Sequence, residues 1–431
     1  MINSLNRHQK EAVGLLQIGT FLEYFDLMLY VHMAVLLNEL FFPKTDPHTA
    51  ALLSAFAFCS TYVLRPFGAL LFGYIGDHIG RKPTVIITTM MMAFSCIVMA
   101  SLPTYAKIGI GAAWIVSLCR IFQGLSSMGE RIGAEVYIVE ITKPPAQYPA
   151  VAMCSVSATL GTVFALAIAS LVTRKGWDWR IAFWAGATIA LVGSIARTRL
   201  RETPDFIKAK KYKKIISSLN EKVNKKTSLC SFLINLTWPL FFFFVYVYCA
   251  NILKNQFGYT PTQIILNNFY VSLAQLSSFI LWMYLSNKIH PLRILKWKLL
   301  PVFILIVLIP TFLINNESAF NLFLLQLLVI FFTPDSMPAE AILIKHFPIF
   351  KRVTYATFIY ALSRALMYVV TSFSLIYITE AFGPNGLFII FIPTCIGYLY
   401  GILHFEKLEN LNQNQVSTTL SNKPNEFKQT E

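Results

Sequence analysis

Long apolar stretches, broken by short polar or charged ones, recur from one end of the chain to the other. Divided at glycine, proline and charge clusters, they predict six helices at 12–37, 49–73, 84–103, 111–139, 150–173 and 179–196. Six more follow at 229–253, 260–286, 299–314, 319–341, 354–378 and 386–405. Most hold the roughly 20 apolar residues that a helix needs to cross a bilayer. The 197–228 segment between the two sets is polar, with eleven Lys/Arg against Glu202, Asp205 and Glu221. The expected fold is therefore an all-α membrane protein with twelve transmembrane helices in two six-helix bundles. The N-terminal bundle takes 1–196, a basic cytoplasmic linker 197–228, the C-terminal bundle 229–405 and a polar cytoplasmic tail 406–431.

Composition agrees with that reading. Of 431 residues, 56% are hydrophobic and 13% charged, half the charged share of an ordinary soluble domain, about 25%. A disordered chain is excluded and a soluble enzyme disfavoured. The net charge of +15 first reads as an orientation signal rather than a nucleic-acid footprint. With the N-terminus inside, cytoplasmic segments together with Arg131, toward the cytoplasmic end of the fourth span, hold 27 Lys/Arg. The opposite loops hold six: Lys44, Lys107, Arg174, Lys175, Arg180 and Lys254. Arg65, Arg120 and Arg364 fall within spans. Both termini are expected in the cytoplasm of a multi-pass protein of the inner (plasma) membrane. The first apolar run, carrying Glu23 and Asp26, is too long for a cleavable signal peptide. Seven scattered cysteines form no metal-ligand or disulfide pattern, and no phosphate-binding loop appears. No cofactor, metal, nucleic-acid partner or enzymatic activity is expected, and His32 reads as a core residue.

Two features suggest that the halves repeat. The loop Gly73-Tyr74-Ile75-Gly76-Asp77-His78-Ile79-Gly80-Arg81-Lys82 has a faint echo at 283–292, with Asn287 where Asp77 stands. Ala134-Glu135 is echoed by Ala339-Glu340. In the loop, Gly73, Asp77, Gly80, Arg81 and Lys82 combine a tight turn with charges suited to a gate, or simply mark a positive-inside turn.

This spacing resembles the loop signature of the major facilitator superfamily. Further matches resemble its metabolite:proton symporter family. They are Glu23-Tyr24-Phe25-Asp26, Arg65-Pro66-Phe67-Gly68-Ala69, Arg120-x-x-Gln123-Gly124, Trp177-x-Trp179-Arg180-Ile181-Ala182-Phe183 and Arg201-Glu202-Thr203-Pro204-x-Phe206. The similarity is dense over 15–206; later it rests mainly on Phe347-Pro348-x-x-Lys351-Arg352 and Tyr360. It implies alternating access with proline/betaine, 2-oxoglutarate, citrate or shikimate as substrate classes. The chain departs at two places. No arginine closes the Glu140–Tyr148 loop, and Arg131 stands where family members tend to have an aromatic residue.

Ionisable residues at bilayer depth are functional candidates by default. Glu23, Asp26 and Tyr30 share one face of the first span, where two carboxylates can share a proton or pair with Arg65 or Arg120. Arg120 and Gln123 lie with Gly124, Ser127 and Arg131 on one face of the fourth span, so Arg120 can hold a substrate carboxylate or a helix-to-helix ion pair. Glu130 and Glu135 flank that face and read as structural. Arg65 and Arg364 are weaker candidates for a packing, gate or second-carboxylate role. Ser157, Gly161, Ala165 and Ala169 read as a packing stripe. Trp238, with the aromatics from Phe241 to Tyr248, either cages a quaternary ammonium or faces core and lipid.

The expected function is proton-coupled uptake of a small zwitterionic osmolyte or metabolite such as proline or betaine. Its partners are substrate, proton and lipid bilayer. Alternatives are symport or exchange of a dicarboxylate such as 2-oxoglutarate, and a non-transporting sensor on the same fold. Oligomeric state is open, and a monomer suffices.

Overall fold

The computed structural model describes residues 5–41, 62–175, 177–198, 200–213, 222–314 and 318–421. Residues 49–61 of the expected second span lie outside this set, as do Lys44, Cys59, Arg199, Glu221 and the 422–431 tail. The side chains of His32, Glu130, Arg174 and Lys175 are likewise outside it.

The first half contains α1 (Arg7–Phe41), α2 (Arg65–His78), α3 (Arg81–Ser101), α4 (Ile110–Ile141), α5 (Gln147–Lys175) and α6 (Arg180–Arg197). The second contains α7 (Lys225–Asn255), α8 (Pro261–Leu285), α9 (Pro291–Ile314), α10 (Ala319–Phe332), α11 (Arg352–Phe382) and α12 (Phe388–Ser421). Nine helical stretches among the described residues are long and apolar enough to cross a membrane. Their starts follow local chemistry. Asn224 caps α7 by accepting from the amides of Lys226 and Thr227, and Thr260 and Gln263 form a capping box at α8, whose first residue is Pro261. Large side chains such as Phe67, Trp114 and Leu300 remain outside the packed core, as lipid-facing residues do.

Within the first half α1 packs on α4, α5 and α6, and α3 on α4 and α6. Within the second, α7 packs on α11 and α12, α8 on α10, and α9 on α10 and α12. The bundles meet chiefly where α5 lies against α8 and α2 against α11. Gly161 in the small-residue stripe explains the close approach of α5 to α1, because a Cβ there would collide with the carbonyl oxygen of Phe21.

Four elements differ from the expected spans. The second runs on as helix through His78, so Gly73 and Asp77 are helical rather than part of the loop. The tenth is interrupted: the helix stops at Phe332, 333–339 is non-helical, and a short helix resumes over Glu340–Lys345. Pro334 and Pro338 account for the break, since proline removes an amide donor and disfavours helix at the residue before it. Next, α9 begins at Pro291 rather than 299, so Lys298 lies inside it and is 1% exposed. Finally, α12 continues through Ser421 into the expected tail, where Glu406 and Glu409 pair with Lys296 and Lys345.

Candidate functional site

At the face where α1 starts, carboxylates cap two helix beginnings. Asp77, at the end of α2, accepts from the amides of Val353 (3.1 Å) and Thr354 (2.8 Å) and from the Thr354 hydroxyl (2.7 Å). These are first-turn donors of α11, which have no partner within their own helix and favour a negative charge. Glu202 does the same for α3, accepting from the amides of Arg81 (3.1 Å) and Lys82 (3.2 Å). Glycine is required beside it, since Gly80 has φ 154° and a Cβ there would strike the Glu202 carboxylate. Gly73 lets α2 touch α11, where a Cβ would fall 2.7 Å from Thr354 Cα.

Glu140 is the hub of this layer. Arg81 donates to it through Nη2 at 2.9 Å, Arg352 of the other bundle through Nη1 at 3.2 Å, and the Thr203 hydroxyl at 2.6 Å. Arg81 also reaches the carbonyls of Gly76 (2.6 Å) and Ile349 (2.7 Å) and lies 4.5 Å above the Phe206 ring. Arg352 thus supplies a cation that the Glu140–Tyr148 loop lacks.

Deeper in, a cavity lies between the bundles, bounded by α1, α2, α4, α5, α7, α8, α11 and the break in α10. Its polar lining includes Arg65, Arg131, Arg364 and Asp335, and its aromatic lining includes Trp238, Phe242 and Tyr368. It is narrow, with a volume of about 40 Å³. Its floor joins the two bundles: Tyr24 and Tyr360 share a hydrogen bond between their hydroxyls at 2.9 Å. Arg131 donates to the Tyr24 hydroxyl, to Ser155 Oγ (3.0 Å) and to Glu135 (3.3 Å). Arg364 stacks on the Tyr360 ring at 3.3 Å. Asp335 is held by Lys298 Nζ at 2.7 Å, and its backbone carbonyl accepts from Tyr398.

A second buried group sits within the first bundle. Asp26 receives the Cys96 thiol at 3.2 Å and lies in the field of Arg120. Arg120 donates to Gln123 (2.9 Å) and lies 4.0 Å above the Tyr30 ring.

The family model described as Major Facilitator Superfamily matches residues 16–370. The chain belongs to the major facilitator superfamily. A 250-residue stretch is 35% identical to the inner membrane metabolite transport protein YhjE of Escherichia coli K12, covering 55% of this chain and 57% of that one. Identity is 27% over 423 residues with a Haemophilus influenzae protein named for metabolite transport, covering 93% and 96%. It is 29% over 204 residues with the proline/betaine transporter of Salmonella typhimurium, covering 46% and 41%. The matches to the first and third of these relatives thus span only about half of each relative's length. The fold is that of the proton:xylose symporter XylE, with a TM-score of 0.77 at 15% identity over 93% of this chain and 95% of that one. The human organic anion transporter MFSD10 superposes with a TM-score of 0.70 at 16% identity, over 92% and 99%. The chain is accordingly a multi-pass membrane protein of a transporter superfamily, and members of that superfamily are not enzymes.

Within this superfamily fold the predicted residues fall into three places. Gly73, Asp77, Gly80, Arg81 and Lys82 all sit in the layer that closes the terminal face. Arg65, Arg364 and Trp238 line the cavity, whereas Asp26, Tyr30, Arg120 and Gln123 form their own cluster in the first bundle. Glu23 and Asp26 face different arginines: the charge of Glu23 acts on Arg65 and Arg131, that of Asp26 on Arg120. Among the aromatics of α7 only Trp238 and Phe242 line the cavity. Phe241 and Phe244 pack on Phe391, and Tyr246 donates to Gln275. Sequence reasoning passed over Lys298, Asp335 and the cap that Glu202 places on α3. The signal for Asp335 was available, a carboxylate flanked by Pro334 and Pro338 inside an apolar run.

Proposed function

We propose that this transporter takes up a small zwitterionic metabolite of the proline or betaine class together with a proton, by alternating access. The observation that supports the reading best is the cavity between the bundles, whose floor and terminal-face closure are both made of contacts that cross from one bundle to the other. Such contacts must break if one bundle rocks against the other, exposing the cavity to each side in turn. The closed face is the cytoplasmic one on the lysine and arginine asymmetry, with both termini inside and the protein in the inner membrane, as the name of YhjE also suggests. The bundles take 1–196 and 229–405, with 197–228 as the linker.

Asp26 is the leading proton carrier. It is 2% exposed, accepts from the Cys96 thiol and lies in the field of Arg120, and Oδ2 has no hydrogen-bond partner among the described residues. Protonation would remove its electrostatic pull on Arg120 and so link proton binding to helix packing between α1 and α4. The test is accumulation of labelled proline and glycine betaine in proteoliposomes with and without an inward proton gradient. Asp26→Asn and Glu23→Gln should both fold, and at least one should abolish gradient-driven accumulation. Full accumulation by both variants would refute the assignment of the proton site.

A dicarboxylate is the second reading, since Arg65 and Arg364 both line the cavity. Uptake of 2-oxoglutarate in the same assay distinguishes it.

A further inference from the structure

We propose that the cavity is built for a zwitterion that bears at least one N–H on its cationic nitrogen, an amino or imino acid. Arg65 would hold its carboxylate and Asp335 its ammonium. The inference rests on the transporter reading above and specifies its substrate.

Arg65 is 1% exposed and lines the cavity, yet its Nε and Nη2 have no hydrogen-bond partner among the described residues. Asp335 is 4% exposed and lines the same cavity; Lys298 engages its Oδ1, while Oδ2 has no partner among the described residues. Buried polar atoms without partners are uncommon and call for an explanation. Here one chain offers two of opposite character in one cavity: donors on a guanidinium and an acceptor on a carboxylate. A small amino acid carries the complement to each, a carboxylate for the planar donor edge and an N–H for the free oxygen.

The two groups belong to different bundles, Arg65 to α2 and Asp335 to the non-helical break in α10. A ligand bridging them ties the bundles together, as occlusion of substrate during alternating access demands.

The charged lining carries one carboxylate, Asp335, beside Arg65, Arg131 and Arg364, and Arg131 is already paired with Glu135. A dicarboxylate would leave the free Asp335 oxygen facing a like charge, whereas a zwitterion brings it an N–H. A quaternary ammonium has no N–H for Asp335 and can use only the faces of Trp238 and Phe242. Sites that hydrogen-bond a ligand group discriminate strongly against analogues lacking it.

The experiment is ligand-induced thermal stabilisation of the purified full chain, followed by titration, with glycine and the standard L-amino acids, glycine betaine and 2-oxoglutarate as probes. At least one N–H-bearing amino acid should stabilise the protein and bind about tenfold or more tightly than glycine betaine. Asp335→Asn should weaken that amino acid about tenfold and leave any glycine betaine binding unchanged. If Asp335→Asn does not fold because Lys298 loses its partner, the neutral pair Asp335→Asn with Lys298→Gln is read instead. The proposal is overturned if only glycine betaine or only 2-oxoglutarate acts, if no probe acts, or if the amino acid binds the variant as tightly as wild type. Uptake of 2-oxoglutarate or betaine into liposomes with no uptake of any amino acid would overturn this site assignment and leave the transporter reading standing. Binding of an amino acid without flux by inserted protein would do the reverse.

Discussion

Asp77→Asn offers a direct way to weigh the closure of the terminal face. In the closed arrangement Asp77 accepts two amide donors and one hydroxyl donor from the first turn of α11, on the opposite bundle. Hydrogen bonds to a charged group are worth about 1.5–3 kcal/mol each. Asparagine retains one acceptor oxygen but loses the charge and replaces the second acceptor by an NH₂ that meets donors. Treating the three bonds as one unit, the closed state should lose about 2–3 kcal/mol relative to the open one. At 1.4 kcal/mol per factor of ten, the closed-to-open ratio falls about 30- to 100-fold. The readout is a distance distribution between spin labels placed at exposed Lys143 and Lys288, which lie in loops of the first and second bundle on this face. In wild type the short distance should dominate, and in Asp77→Asn a longer component should grow. A variant whose distances match wild type, at unchanged thermal stability, would refute the view that these bonds hold the face shut.

Other parts of the molecule make independent predictions. Gly161→Val should lower thermal stability in detergent by about 1–3 kcal/mol or prevent folding, because α1 backbone occupies the added side chain's space; an unchanged melting temperature would contradict the close α1–α5 packing. Lys298→Met should cost about 3–5 kcal/mol by stranding the Asp335 carboxylate, and adding Asp335→Leu should recover most of it; a double variant no more stable than the single would show that the pair is not the cause. Arg352→Met should leave Glu140 with Arg81 and Thr203 as partners and shift the same label pair toward the long distance, though less than Asp77→Asn does; a larger shift would make Glu140 rather than Asp77 the main latch.

The helices were legible because membrane spans write themselves into the sequence as long uncharged runs, and observed ends such as those of α4, α5 and α8 lie within a few residues of the expected ones. What escaped was set by contacts across the fold. The Pro334–Pro338 break vanished inside an apolar run, since hydropathy does not register a missing amide donor. Lys298 looked like a positive-inside residue because it stood at the edge of the expected ninth span; burial against Asp335 is visible only in three dimensions. The glycines and charges from Gly73 to Lys82 stood out in the sequence, but the partners of Asp77, Val353 and Thr354, lie some 276 residues away. Likewise Arg131 read as one residue on a polar helix face, although it ties Tyr24, Ser155 and Glu135 together beneath the cavity. For Glu23 and Asp26, three residues apart on one helical face, the sequence left open a shared proton or pairing with Arg65 or Arg120; in the packed bundle the charge of Glu23 acts on Arg65 and that of Asp26 on Arg120.

The central claim is that substrate and proton move together, and the measurement that tests it most directly is lumenal pH in proteoliposomes as substrate is added outside. With no starting gradient, adding a transported amino acid should acidify the lumen at a rate that follows substrate uptake, and Asp26→Asn should move substrate by exchange without acidification. With an imposed gradient, one proton per substrate allows about tenfold accumulation per pH unit. Substrate uptake at full rate with no change in lumenal pH, and no response to an imposed gradient, would contradict proton coupling and make the protein a facilitator or exchanger.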